Sequence, residues 1–206
     1  YPVAYILDGE VFLPTVNDVQ NYYSGGFTPE MVLVGISNSK NRMRDLTTSK
    51  IILQYSNEEN GEAANFSKFM ETELIPFVEK KYPVTNFRTL IGHSYGGLFT
   101  IYTLIHHPEL FSNYLVIDPS LDWDNQRLIK EAKDKVSSAN YKGKSLFMSL
   151  GGSGMTLNEI KKDFQPKEPT EYLTRQEVAE LLKVNLTTVW NWSKKGKIQA
   201  YGLGYR

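Results

Sequence analysis

The sequence predicts an α/β fold, a doubly wound and mostly parallel sheet, followed by a small C-terminal winged helix-turn-helix. Three observations carry the prediction. Short continuous apolar runs alternate with stretches of helical periodicity, the pattern of strands buried on both faces and joined by crossover helices. A glycine-rich turn, Gly92-His93-Ser94-Tyr95-Gly96-Gly97, stands between one apolar run and an apolar helix. Charge is unevenly spread: residues 170–206 hold 6 Lys plus Arg against 3 Asp plus Glu, while residues 1–169 hold 17 against 20. A small basic segment on a mildly acidic body hints at a nucleic-acid module.

The first strand is expected over residues 3–7, closed by Asp8-Gly9, and the second over 31–36, closed by Ser37-Asn38. Residues 51–55 read as either a short strand or a loop. Residues 62–81 place Phe66, Phe69, Met70, Leu74, Phe77 and Val78 three and four apart, an amphipathic helix despite Pro76. Tyr82-Pro83 ends it. A strand at 89–92, a helix at 96–106, a strand at 114–117, a helix at 125–136 and a strand at 145–150 follow. Gly151-Gly152-Ser153-Gly154 ends that strand, 156–164 can begin a helix, and Gln165-Pro166-Lys167-Glu168-Pro169 reads as part of a linker over 165–171.

The chain has 206 residues and an ordinary globular composition, 41% hydrophobic and 22% charged. It contains no cysteine, which excludes a disulfide framework, a thiolate nucleophile and a Cys-based zinc site. No cofactor or metal is implied. No apolar run approaches the ~20 residues that span a bilayer. The chain begins at Tyr1-Pro2 without Met and directly before a strand, and it reads as a fragment.

A serine hydroxyl is a poor nucleophile until its proton is removed, and the chemistry favours an exposed Ser on a strained strand-to-helix turn. Gly92 and Gly96 flank Ser94 at the two-residue spacing such a turn requires, and Gly97 lets helix and strand approach closely. The backbone N–H of Tyr95, at the helix N-terminus, is a natural donor to a developing oxyanion. A second donor is expected from the loop after an earlier strand, at Asp8-Gly9-Glu10.

The base is harder to find. The only histidines are His93, His106 and His107. His93 precedes the nucleophile on a strand, so its ring should point away from the reaction face. His106 lies twelve residues along the following helix, roughly 18 Å away at 1.5 Å per residue.

Four segments in order, Tyr1-Pro2-Val3-Ala4-Tyr5-Ile6-Leu7-Asp8-Gly9, Arg42-Met43-Arg44-Asp45-Leu46-Thr47, Ile91 through Gly97, and Asp118-Pro119-Ser120-Leu121, resemble the putative-esterase family, which includes enterochelin esterases, esterase D-like enzymes and mycolyltransferases. The resemblance covers residues 1–164 and implies an α/β-hydrolase domain, incomplete at both ends, that takes a small-molecule ester. It implies Ser94 as nucleophile, Tyr95 and Glu10 as oxyanion N–H donors, and Trp123 in the substrate pocket. Arg44-Asp45 then reads as an ion pair bracing a loop. Asp122 departs from the family, where a second aromatic is usual. In the family the acid follows the strand matched by residues 145–150, where Glu159 is the candidate and Asp118, after the preceding strand, the alternative; the family's histidine comes later than any in this chain, so neither acid has one to orient.

At the C-terminus, Thr174 and Glu177 form a capping box that opens a helix with Val178, Ala179, Leu181 and Leu182 as its apolar face. Lys183-Val184-Asn185 makes the turn, and a second helix runs over 186–195 until Gly196. The segment 172–206 resembles the excisionase and mercury-regulator type of helix-turn-helix, with only the start of a β wing. Thr187, Thr188 and Asn191 then face the major groove, and Lys194, Lys195, Lys197 and Arg206 reach phosphates. A plain helical hairpin is the alternative.

Three readings stay open at this level: an ester hydrolase impaired by the missing histidine, a DNA-binding regulator with a non-catalytic hydrolase-like domain, and a fusion of two gene fragments. DNA binding implies the cytoplasm and the esterase resemblance export, so compartment is open too.

Overall fold

The computed structural model describes residues 1–24, 26–54, 56–136 and 140–151, together with Gln176, Glu180, Asn185 and Thr187. Five strands, β1 (Val3–Leu7), β2 (Val32–Ile36), β3 (Arg88–His93), β4 (Asn113–Ile117) and β5 (Ser145–Ser149), form one sheet in the order β2-β1-β3-β4-β5. Every pairing is parallel. The α/β sheet expected from the alternating runs is present, with each strand within two residues of its expected bounds.

Strand β1 shows why apolar runs rather than alternating ones mark these strands. All five of its residues are buried. Val3, Tyr5 and Leu7 pack in a cluster with Phe66, Met70 and Phe99. Ala4 and Ile6 belong to a different cluster with Phe12, Leu13 and Val16. The period-2 alternation therefore sends successive side chains into two cores, and helices cover both faces of the sheet. Each large side chain buried this way contributes roughly 1.5–3 kcal/mol.

Helix α1 (Gly9–Tyr23) was not expected from the sequence. It carries Pro14 inside it, a residue that argues against a helix interior. Apolar Phe12, Leu13 and Val16, packed against β1, hold it in place. Helix α2 (Arg42–Leu46) is a single short turn.

The long amphipathic stretch forms, but not as one α-helix. It runs as α3 (Ala63–Phe69), a π-helical turn (Met70–Leu74) and α4 (Ile75–Lys81), with Pro76 in the first turn of α4. Ile75 N–H reaches back five residues to Met70 O. Pro76, which has no N–H to offer the preceding turn, follows at the position where a helix tolerates proline.

Helix α5 (Tyr95–His106) follows β3, and α6 (Trp123–Val136) follows β4. The start of α6 departs from expectation: Asp124, Asn125 and Gln126 all have positive φ, at 49°, 53° and 62°. The regular right-handed helix thus begins only after Gln126, not at Asn125. Residues 51–54 form no strand. Ile51 is instead held by the Asn60 amide, which accepts from Ile51 N–H at 2.8 Å and donates to Ile51 O at 3.1 Å.

Backbone contacts divide the chain into two units, Tyr1–Gly151 and Gly152–Arg206. Of the second unit, Gln176, Glu180 and Thr187 are helical and exposed. The expected helix at 156–164, the linker, and Thr188, Asn191, Lys194, Lys195, Lys197 and Arg206 lie outside the described residues, as does Glu159. Among the described residues, no helix is long and apolar enough to cross a membrane, and no cluster of side chains is suited to a metal ion.

Candidate active site

The sheet order places its topological switch between β1 and β3, since the chain leaves β1 toward β2 and later returns on the other side. Crevices at the C-terminal ends of strands flanking such a switch are where open α/β sheets bind ligands. Three residues with positive φ end three neighbouring strands there: Asp8 after β1 (50°), Ser94 after β3 (57°) and Asp118 after β4 (43°). Each such conformation costs a non-glycine residue of order 1–3 kcal/mol and persists only where the surroundings enforce it.

The surroundings of Ser94 do enforce it. With φ 57° and ψ −116°, Ser94 stands between β3 and the first residue of α5. A Cβ at position 92 would lie 2.2 Å from Gly96 O, so close backbone approach requires glycine there, and one at position 97 would lie 3.0 Å from Pro119 Cα, tight enough that the neighbour would have to give way. Ser94 N–H donates to Ile117 O at 3.0 Å, and Ser94 O accepts from Leu98 N–H at 2.9 Å and from Ser120 N–H at 3.1 Å. The half-buried hydroxyl lies 3.2 Å from the hydroxyl of Ser120.

Tyr95 is the first residue of α5 and Glu10 the second of α1. Their backbone N–H groups are among the first four of a helix, which have no intrahelical acceptor. Because β1 and β3 are paired neighbours, the two turns stand side by side at one sheet edge. Donors of this kind, backed by a helix N-terminus, suit an oxyanion.

A bidentate ion pair ties this edge together. Arg42 Nε donates to Asp8 Oδ1 at 2.9 Å and Arg42 Nη2 to Asp8 Oδ2 at 3.0 Å. The same guanidinium reaches His93 O at 3.4 Å and lies 5.2 Å from the centre of the Tyr95 ring. Asp8 N–H donates to Asn38 Oδ1 at 3.3 Å. The Asp8 side chain is 4% exposed and that of Arg42 33%. Sequence reasoning missed both the pair and Ser120. Arg42 and Ser120 stood inside quoted motifs, but a contact across 34 residues leaves no periodic signal.

The histidines stand elsewhere. The His93 ring packs edge-on to Phe12 of α1 at 5.4 Å, and with Phe12, Val16, Ile91, Leu115 and Ile117 it lines an apolar cavity of about 400 Å³. His106, at the far end of α5, stacks on Tyr102 at 4.4 Å; its Nε2 lies 3.2 Å from Glu131 Oε2, and its Nδ1 accepts from Lys135 Nζ at 2.9 Å. Burial first, and then the nearby Lys135 charge, hold the His106 pKa below the usual imidazole range. His107 Nδ1 is 3.7 Å from Glu109. Among the described residues, no histidine hydrogen-bonds Ser94, whose hydroxyl meets that of Ser120.

The remaining candidates are placed as follows. Asp118 Oδ1 accepts from Gly151 N–H at 2.8 Å, turning its carboxylate toward the end of β5. Trp123 is 7% exposed, donates its indole N–H to Ser49 O at 3.0 Å and packs edge-on to Tyr95 at 5.4 Å. Arg44 and Asp45 form an ion pair at 2.8 Å.

Comparison with known proteins places this geometry. A family model described as putative esterase matches residues 1–189. The chain is 32% identical over 157 residues to the ferri-bacillibactin esterase BesA of Bacillus subtilis, covering 66% of this chain and 54% of that protein. It is 28% identical over 169 residues to a siderophore triacetylfusarinine C esterase of Aspergillus fumigatus, covering 73% and 56%. Among solved structures, the BES protein from Bacillus cereus superimposes with a TM-score of 0.69 at 27% identity, covering 90% of this chain and 71% of that one. An IroE-like serine hydrolase from Shewanella oneidensis gives 0.68 at 28%, covering 98% and 61%. The chain spans about half the length of the curated relatives it matches.

Proposed function

Because this chain belongs to the putative-esterase family, we propose that it carries the nucleophile half of a serine carboxylic-ester hydrolase acting on siderophore-type esters. The observation that carries the reading is Ser94, held at positive φ on a strand-to-helix turn beside the free N–H of Tyr95. Relatives named as siderophore esterases support the substrate class.

In this reading Ser94 Oγ attacks the ester carbonyl carbon while its proton leaves to a base. The carbonyl oxygen, now an anion, accepts hydrogen bonds from Tyr95 N–H and Glu10 N–H. Collapse expels the alcohol, which takes up a proton, and leaves an acyl-Ser94 that water hydrolyses. The Asp8–Arg42 pair touches no reacting atom; it holds the β1 turn against the elbow so that the two donors converge.

None of the three histidines hydrogen-bonds Ser94, so acylation by these 206 residues by themselves should be slow at neutral pH. What remains is the fraction due to the oxyanion donors and binding, on the order of 10³–10⁴ over water in hydrolases stripped of a triad member. Assay with p-nitrophenyl acetate tests this: weak turnover is expected, reduced further in Ser94→Ala. Rapid turnover abolished in Ser94→Ala would defeat the argument about the base and direct attention back to His93. Turnover equal in both would defeat Ser94 as nucleophile.

The helix-turn-helix over residues 172–206 stands as a second proposal. Its support is the capping box, the basic charge and the resemblance in sequence.

A further inference from the structure

We infer that Ser120 is a second working hydroxyl of the site, which positions Ser94 Oγ and donates a hydrogen bond to it as it becomes the attacking alkoxide; the inference rests on Ser94 being the nucleophile. The geometry starts from the 3.2 Å approach of the two hydroxyl oxygens. In the resting pair either oxygen can donate. Once Ser94 has lost its proton only Ser120 can, because an alkoxide has nothing to give. A hydrogen bond that is ordinary before ionisation then becomes charge-assisted, which makes it roughly twice as strong. The contact therefore favours the transition state, in which Oγ carries negative charge, over the neutral ground state, the requirement for a gain in rate.

The backbone around Ser120 is fixed without help from its side chain. Its N–H donates to Ser94 O at 3.1 Å and its carbonyl accepts from Trp123 N–H at 3.2 Å. On one side Pro119 abuts the elbow so closely that a Cβ at position 97 would lie 3.0 Å from it; on the other, Leu121 is buried. The hydroxyl is thus delivered to Ser94 by a rigid frame, the condition under which a donor costs no reorganisation at the moment of reaction. Its importance is greatest in a chain whose histidines stand elsewhere. Solvent hydroxide then takes the Ser94 proton and becomes water, Oγ bonds to the electrophile, and the leaving group departs with the displaced electron pair. Ser120 keeps its own proton throughout.

The test is the rate of covalent labelling of Ser94 by a fluorophosphonate, followed by mass spectrometry across alkaline pH in the full chain; here the Oγ–P bond forms and fluoride leaves. In the parent the rate should rise in proportion to hydroxide until Ser94 is ionised. Ser120→Ala and Ser120→Val should displace that profile downward by about twofold to thirtyfold, the excess of a hydrogen bond to a charged group over an ordinary one. Ser120→Thr, which has the shape of valine and keeps the hydroxyl, should stay near the parent. Circular dichroism and thermal melts check that all variants fold, and the Thr/Val pair reads the hydroxyl at constant shape if alanine perturbs packing. Equal labelling of the parent and the Ala variant, or equal behaviour of Thr and Val, overturns the role of Ser120 while leaving Ser94 standing. Labelling that does not depend on Ser94, shown by an unchanged rate in Ser94→Ala, overturns the nucleophile itself and this inference with it.

Discussion

Asp8 combines two costs that would each be selected against in isolation: a carboxylate almost out of water, and a left-handed backbone. Both are offset by one partner. Arg42 matches the carboxylate with two parallel hydrogen bonds and spends its remaining reach on His93 O and the Tyr95 face, so one side chain holds β1, α2 and the elbow together. Removing Arg42 leaves the charge buried and unpaired. Arg42→Ala should therefore cost about 3 kcal/mol, the lower end for breaking a buried pair because the guanidinium is partly in water. Asp8→Asn should cost less, since asparagine suits positive φ and is neutral. In urea unfolding, the double variant Asp8→Asn/Arg42→Met should be more stable than Arg42→Ala alone, because no buried charge is stranded. Additive losses would mean that the two side chains act independently.

Helix α5 carries the Ser94 turn at one end and His106 with its charged neighbours at the other. His106 faces Glu131 and Lys135 of α6, with Tyr102 and His107 on its own side and Arg127 beyond Glu131. Its pKa is lowered in the folded chain, so as pH falls the unfolded chain binds the proton first and stability falls with it. The contribution is present above the unfolded imidazole value of about 6.5 and is lost as pH drops from there toward the folded pKa. The melting temperature of the parent should fall more steeply between neutral and mildly acid pH than that of His106→Gln; parallel curves would rule the effect out. How far such elements can be read in advance depends on their signals. The strands were legible because short continuous apolar runs bounded by turn residues, such as Asp8-Gly9 and Ser37-Asn38, alternate with helical periodicity, and α5 because it follows a glycine-rich turn. Helix α1 was hidden by Pro14, and the π turn and the left-handed residues 124–126 are local adjustments for which no periodicity exists. In the candidate site, Ser94 was legible because a strained turn demands glycines at fixed spacing. Arg42 and Ser120 were not, since their roles depend on where distant strand ends meet.

On the scale of the whole molecule, two readings claim residues 172–189. The family match extends through them, which favours more hydrolase, whereas the capping box within them and the lysines that follow at 194, 195 and 197 favour a helix-turn-helix. Electrostatics separates the two. Residues 170–206 carry a net charge of +3 and the rest of the chain −3, so any DNA affinity must come from this segment against a mildly repelling body. With Lys194, Lys195, Lys197 and Arg206 as the candidate phosphate contacts, binding should be weak and should fall steeply with salt. Replacing Lys194 and Lys195 together by alanine should weaken binding to every sequence alike and flatten the salt slope, whereas Asn191→Ala should change discrimination between sites. Gel shifts at low salt measure all three. If the parent gives no retardation, or retardation indifferent to the lysines, the DNA-binding reading falls and the plain helical hairpin stands, because a recognition helix without its phosphate contacts has nothing to hold it in a groove.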